Sequence, residues 1–249
     1  MQPIAALFIV TSTFLAPASP PVALDTTPQV DFAAMFPPPK EGLTITVVPG
    51  KGDADEATTF PKLLDDFTRV TGITLQVTKD TEGVLKQTRL GLNRSIQVPA
   101  SEVYRIVETL LIAHDFVFIR LSNRDPRIWM VQSLQAGGGR GGPQVRNDAL
   151  MVDEKDLRVL EDHPATLVTT TISLPKTDVR TLSNSMRTLF TDANTQQIIP
   201  VGQSSLIITG FAPNVAGLVR LLHTIDDLST LEGGVPNPAV QVRPGAAGK

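Results

Sequence analysis

The three histidines are the first residues to consider for chemistry, because imidazole can act as a general base or bind a metal ion. His114 lies on the apolar stripe of a predicted helix, three residues after Leu111, and we expect it to pack at the end of that helix. His163 lies in a charged loop, and His223 lies beside the apolar face of the last predicted helix. Their spacing matches neither HxxxH nor HExxH, so we expect no metal site.

Patterns for a catalytic nucleophile are also missing. Ser, His and Asp all occur, but the GxSxG elbow of hydrolases does not. The chain has no cysteine, which excludes disulfides, iron–sulfur clusters, thiol catalysis and lipid modification of cysteine. We therefore expect a protein that is not an enzyme, with no catalytic, cofactor-binding or metal-binding residues and no cofactor.

Two other patterns match ligand sites only in part. The run Gly137–Gly142 (GGGRGG) lacks the Lys-Ser/Thr ending of a phosphate loop, so we predict a flexible linker, made slightly basic by Arg140 and Arg146. The acidic clusters do not follow the D-x-[DN]-x-[DN]-G pattern of a calcium loop. Solvated charge is the expected role of Asp53, Asp55, Glu56, Asp65, Asp66, Asp153, Glu154 and Asp156.

Composition and the positions of Pro and Gly predict the domain organisation. Hydrophobic residues make up 41% of the 249 residues, and the formal net charge of −3 argues against a nucleic-acid partner. The 20 Pro and 18 Gly residues concentrate in three segments, which leave two periodic blocks between them. We predict a disordered, Pro-rich leader (19–42), a first domain (43–134), a Gly-rich linker (135–148), a second domain (149–229) and a disordered tail (230–249).

The N-terminus has the pattern of a secretory signal peptide. The apolar run Ile4–Ala16 is shorter than the roughly 20 residues that span a bilayer as a helix. Ala16-Pro17-Ala18 supplies the small-x-small cleavage pattern, so we predict removal of residues 1–18 and export to the periplasm. No Lys or Arg precedes the run, and a retained membrane anchor or a misassigned start codon stay open as alternatives.

The first block has the order β-α-β-β-α-β-β. Its first helix places Phe60, Leu63, Leu64 and Phe67 on one face and is expected to end at Gly72. Ser101 is expected to cap the second helix, and residues 80–93 are ambiguous. Strands are predicted over 43–48, 73–78, 95–98, 116–121 and 127–134, and the second helix carries its apolar stripe at Val103, Ile106, Val107, Leu110 and Leu111.

The second block has the order β-α-β-β-α. Its first strand covers 166–174, and Asp178 is expected to cap the helix that follows. Two strands flank a hairpin turn at Gly202-Gln203, and Pro213 opens the last helix. The charged segment 151–164 is predicted to be a short helix or a loop. Both blocks are therefore small α+β domains in which helices cover one face of a sheet.

These patterns resemble the N-terminal periplasmic domains of secretins, the ring channels of type II and type III secretion and type IV pilus systems. The first block is similar to the N0 domain in its segments FPKLLDDFTRVTGITLQV and SIQVPASEVYRIVETLLIAHDFVFI and in its closing hairpin. The second resembles the repeated KH-like N1-type domain. Its matching features are the strand running into Leu174–Asp178, the hairpin IIPVGQSSLIITGF and the helix from Pro213 to Asp227.

The resemblance implies an exported, non-catalytic protein of a secretion or pilus-like envelope complex. Such a protein would bind copies of itself, a secretin or another envelope-complex protein, and would reach the outer membrane only through that partner. The last helix is followed by about 20 Pro/Gly-rich residues, so no counterpart of the C-terminal secretin barrel is expected. The second block lacks the GXXG loop of nucleic-acid-binding KH domains.

An alternative function also fits the sequence. A small α+β protein in the periplasm can serve as a soluble binding or signalling module for a peptide, glycan or protein ligand. An exposed sheet edge would accept a strand from such a partner.

Overall fold

The computed structural model describes residues 31–47, 59–122, 125–135 and 145–229. All of them lie in one compact unit that begins at Asp31. The predicted signal peptide, most of the leader, the Gly137–Gly142 run, the first acidic cluster and the tail lie outside the described residues. Within the described ranges, no helix is both long enough and apolar enough to cross a membrane.

The first half is built from three longer helices and two small sheets. In the sheet order β2-β5-β4, β2 is parallel and β4 antiparallel to the central β5, and β1 pairs with β3 in a separate antiparallel ribbon. Its elements are α1 (Phe32–Met35), β1 (Leu43–Ile45), α2 (Phe60–Thr71), β2 (Thr74–Val77), α3 (Lys79–Gln87), β3 (Ile96–Val98), α4 (Val103–Ile112), β4 (Phe116–Ser122) and β5 (Ile128–Ser133).

Helix α2 confirms the periodicity argument. It begins with proline in its first turn and ends at Gly72, whose φ of +73° is the left-handed conformation that glycine adopts without steric cost. The predicted apolar face is buried, and it forms the centre of the first hydrophobic core together with Ile73, Phe116, Phe118 and Trp129.

Two local predictions for the first half need correction or completion. Residues 100–102 form a 3-10 turn ahead of α4, so the cap position falls on Glu102 and the prediction of Ser101 as the cap is wrong. The ambiguous stretch contains α3, whose cap is Thr78. Thr78 accepts a hydrogen bond from the backbone N–H of Thr81 and starts a helix that weak periodicity did not reveal. The order thus gains one helix between β2 and β3.

The predicted disordered leader also needs correction at its end. Asp31 caps the short helix α1 by accepting a hydrogen bond from the Ala34 N–H at 3.0 Å. Met35 is only 1% exposed. The spacing of Phe32, Met35 and Phe36 gives this segment an apolar face that the many neighbouring prolines obscure.

The second half is a four-stranded sheet with helices on one face. The strand order is β6-β7-β9-β8, with β7, β9 and β8 antiparallel and the two-residue β6 parallel to β7. Its elements are β6 (Leu150–Met151), β7 (Leu167–Ser173), α5 (Val179–Met186), β8 (Gln197–Val201), β9 (Ser205–Phe211) and α6 (Ala212–Leu228). The α+β class and the βαββα order are confirmed.

Local signals predicted the second half well. Asp178 caps α5, Gly202 has the positive φ of +66° that its turn requires, and α6 carries proline in its first turn. In the charged segment, Met151 belongs to β6 and residues 154–160 form a 3-10 turn, which fits the prediction of a short helix or a loop. Four residues of the predicted linker, 145–148, form a further 3-10 turn with Val145 buried. The division into two domains stays a prediction.

Candidate functional site

A buried polar cluster joins the two halves. Glu108 lies on α4 with no exposed surface, and all of its hydrogen bonds go to the loop before β7. Its carboxyl group accepts from the Nδ1–H of His163 at 2.9 Å, the backbone N–H of Ala165 at 3.0 Å and the hydroxyl of Thr166 at 3.3 Å. A carboxyl group on the first half therefore fixes the position of a loop on the second.

Arg120 adds a positive charge to this cluster. It lies on β4, and its Nη2 donates to the Thr166 hydroxyl at 2.8 Å. Burial lowers the pKa of Arg120 to about 10, while the nearby acidic Glu108 favours the charged form and opposes that shift. Within the described part of the chain, the Nε of Arg120 has no hydrogen-bond partner.

Aromatic rings enclose the charged groups. The Arg120 guanidinium lies 4.5 Å from the ring centroid of Phe36 and 4.8 Å from that of Trp129, within the range of cation–π attraction. Phe36 stacks on His163 with ring centroids 3.6 Å apart. Burial, followed by the proximity of Glu108, raises the pKa of the Tyr104 phenol well above its usual range. We call Phe36, Tyr104, Glu108, Arg120, Trp129, His163 and Thr166 the joint.

The chemistry of the joint is structural. A catalytic group must reach a substrate, whereas Glu108 is wholly enclosed and its bonds hold protein groups. A buried charge that is paired and hydrogen-bonded fixes one arrangement of the elements it connects, because breaking the pair is costly.

The other histidines lie apart from this cluster. His114 packs edge-on against Phe60 with centroids 5.2 Å apart, which confirms its packing role at the end of α4. His223 contacts Glu154 on the second half, with Nε2 2.7 Å from Oε1. In the ranges that the structure covers, no three His, Asp or Glu side chains are grouped closely enough to hold a metal ion.

His223 and Glu154 also line a surface groove of about 450 Å³ between α6 and the 154–160 turn. Five ionisable side chains line this groove. Four of them form two pairs across it, His223 with Glu154 and Arg220 with Glu161, and Arg158 is the fifth. Most of the polar groups that would bind a ligand thus already contact each other.

The outer surface of the second sheet is of a different kind. Side chains alternate between the two faces of a strand, and α5 and α6 cover only the face that carries Val168, Ile172, Leu206 and Ile208. The strand register places ten side chains on the opposite face, in three rows that run across the strands. The first row is Met151, Thr169, Thr209 and Gln197, the second is Thr171, Ile207 and Ile199, and the third is Ser173, Ser205 and Val201. Thr209 is buried at 5% exposed, and the other nine residues are partly or fully exposed. We call these ten residues the open sheet face.

None of these ten side chains carries a charge, in a chain with 19% charged residues. Met151 is 77% exposed, Val201 44% and Ile199 39%. Surfaces of monomeric proteins are normally rich in charge, whereas the centres of protein interfaces are depleted of it. The composition of the open sheet face therefore favours contact with another protein surface.

Comparisons with known proteins complete this description. No protein-family model matches the sequence, and no curated protein does. A structure of the Klebsiella pneumoniae type II secretion system outer membrane complex, with PulD, PulS and the PulC HR domain, is similar at 15% identity and a TM-score of 0.45. The match covers 68% of this chain and 26% of the matched chain, so this chain spans about a quarter of that protein's length.

Two further structures are similar at lower TM-scores. The N-terminal domain of the secretin XcpQ from Pseudomonas aeruginosa matches at 16% identity and a TM-score of 0.24, over 81% of this chain and 70% of its own. The enterotoxigenic Escherichia coli GspC–GspD complex of the type II secretion system matches at 14% identity and a TM-score of 0.25. This match covers 75% of this chain and 99% of the matched chain. The predicted resemblance to secretin N-terminal domains is confirmed as a distant similarity.

Sequence reasoning missed both the joint and the open sheet face. A signal for the joint exists in Glu108, which follows Tyr104 by one helical turn on a flank of α4 that otherwise carries apolar side chains. The open sheet face could have been predicted from Thr169, Thr171 and Ile199, because these residues alternate along their strands with residues of the core. His163 gave no signal, because its burial depends on an element 55 residues away.

Proposed function

We propose that this chain is a non-catalytic docking protein of a secretion complex in the bacterial periplasm. It binds through the open sheet face to further copies of itself or to the N-terminal domains of a secretin. The single observation that carries the proposal is the absence of charge on that exposed face. The distant similarity to secretin N-terminal domains agrees with it.

The physical argument is one of burial. Three of the exposed side chains are large and apolar, and removing apolar surface from water contributes roughly 25 cal/mol per Å². The threonine and serine hydroxyls between them lose little on burial if they find partners; Thr169 and Thr209 already bond each other at 2.8 Å. Such a face can become an interface without the cost of burying an unpaired charge.

A charge placed on the face tests the proposal. Ile199→Lys is expected to weaken association by about tenfold or more, because the interface must then bury an ammonium group or lose its central contact. Asn184→Lys is the matched control, since Asn184 is exposed on α5 in the opposite layer. The measurements are sedimentation velocity of the full chain over a concentration series, and binding to a purified secretin N-terminal fragment.

The expected result is association by the wild-type chain and by N184K, and its loss in I199K. A wild-type chain that stays monomeric and does not bind the fragment would refute the proposal. Equal weakening by both lysine variants would also refute it, because the effect would then be one of net charge.

A further inference from the structure

The segment Asp31–Pro37, which we call the strap, contacts both halves of the molecule. On the side of the first half, the Nε of Arg127 donates to the Ala34 carbonyl oxygen at 2.6 Å. The Tyr104 hydroxyl donates to the Pro37 carbonyl oxygen at 2.7 Å. These two bonds fix the backbone of the strap at the end of α1 and just beyond it.

The aromatic side chains of the strap reach the second half. Phe36 stacks on His163, and both Phe32 and Phe36 pack against the second hydrophobic core. Phe36 also packs against the first core, edge-on to Tyr104 at 5.6 Å and to Trp129 at 5.7 Å. One phenyl ring is thus shared by the two cores.

Phe36 also covers the charged part of the joint. Its ring lies against the guanidinium of Arg120, whose Nε is buried and lacks a hydrogen-bond partner among the described residues. Displacing the ring would let water reach this group and solvate it, and an arrangement of the halves that exposes Arg120 would become less costly.

The strap cannot hold its structure by itself. Helix α1 has four residues, and isolated helices shorter than about 12 residues are marginal in water. Three consecutive prolines, 37–39, separate it from β1 and supply no backbone N–H to a sheet. Its order therefore depends on the contacts it makes across the joint.

We infer that the strap is a releasable clamp that sets the relative orientation of the two halves. When it is docked, Phe36 closes the joint and the halves move as one body. When it is released, the remaining contacts of Glu108 and Arg120 are open to water, and the halves sample a wider range of orientations. This inference does not depend on the proposed docking function.

The absence of cysteine makes a direct distance measurement possible, because two introduced cysteines can be labelled without background. Lys86→Cys on α3 and Asn184→Cys on α5 place one exposed label on each half. Pulsed electron–electron double resonance on the full chain, with a spin label on each cysteine, then reports the distribution of distances between the two labels. The background chain is expected to give a single narrow distribution.

Phe36→Ala is expected to widen that distribution by about twofold or more, as for a hinge that has been freed. Phe190→Ala is the matched control, because it removes the same ring from a partly buried position in the second core alone. Arg127→Gln removes a side-chain tether of the strap, together with the ion pair that Arg127 makes with the exposed Asp125. A smaller widening is expected for R127Q, and this variant keeps the test decisive should F36A fail to fold.

A narrow distribution in both F36A and R127Q would overturn the inference. Equal widening in F190A would overturn it as well, because loss of core packing would then be a sufficient cause.

Discussion

Glu108 and Arg120 show how two residues determine a contact between distant parts of the chain. Glu108 is buried and Arg120 is partly buried, and Thr166 is hydrogen-bonded to each of them. The two residues lie on the same half, and Thr166 of the second half bridges them by accepting from Arg120 and donating to Glu108. The effect of this bridge is on specificity, because another packing of the halves would leave Arg120 without Thr166 and would leave Glu108 without Thr166, His163 and the Ala165 N–H.

Glu108→Gln is expected to lower the free energy of unfolding by about 3–5 kcal/mol, because it removes the wholly buried acidic group that holds His163, Ala165 and Thr166 and that favours the charged form of Arg120. The measurement is urea denaturation followed by circular dichroism. Glu102→Gln is the control: Glu102 pairs with Arg105 at the surface, where such pairs contribute about 1 kcal/mol or less.

A second substitution separates the charge from the packing. In the double variant E108Q/R120M no uncompensated cation remains, and we expect it to recover a substantial part of the stability lost in E108Q. If R120M lowers the stability of the E108Q variant by as much as it lowers that of the wild-type chain, the two residues are not coupled, and the description of the joint is wrong.

At this scale the sequence was informative only where a residue acts on its neighbours. Asp178 and Gly72 were assigned correctly because a cap or a left-handed turn needs one residue type at one local position. Glu108 and His163 meet through folding of both halves, and their pairing is not contained in any local spacing.

At the scale of elements, the β8–β9 hairpin supports the largest part of the open sheet face. Its loop turns at Gly202, whose φ of +66° suits glycine and whose surroundings leave open space around the Cα. Gly217 offers a contrast, since it lies inside α6 without a positive φ and a Cβ there would make only ordinary contact with Arg220.

Gly202→Ala is expected to lower the free energy of unfolding by about 1–2 kcal/mol, the cost of a left-handed conformation for a residue with a Cβ. Gly217→Ala is expected to raise it by about 0.5–1 kcal/mol, because alanine favours the helix. Thermal and urea unfolding of both variants provide the measurement, and a shift of the same sign in both would contradict this account.

Strong periodicity made most of these elements predictable. Helices α2, α5 and α6 and all strands of the two main sheets except β6 have repeated apolar positions or a cap that defines one end. Apart from the nine-residue α3, the elements that were missed or left open are short: α1, β6 and the 3-10 turns. Their order comes from tertiary contacts, which override local preference in segments of a few residues.

At the scale of the whole molecule, the two cores are connected through more than a linker. Ala165, from the second half, packs in the first core, and Val117 and Ile119 of β4 pack with Val145 and Leu167 in a third cluster between them. The backbone N–H of Phe118 also donates to the Ala165 carbonyl oxygen at 3.4 Å.

Because of these shared contacts, we expect the described unit to unfold in one cooperative transition. Differential scanning calorimetry of the full chain should give a single peak whose calorimetric and van't Hoff enthalpies agree. The E108Q variant, with a weakened joint, is expected to show a broadened or divided peak. Two well-separated peaks in the wild-type chain would contradict the coupling.

The uncharged open sheet face has a consequence for solution behaviour. Screening by salt acts on charges, with a Debye length of about 8 Å at physiological ionic strength, and this face offers none to screen. Contacts made through it should hold in concentrated salt, strengthen in the presence of sulfate and weaken on cooling, as apolar burial does. An assembly formed in this way would be tuned by temperature and cosolvents and would be largely insensitive to ionic strength.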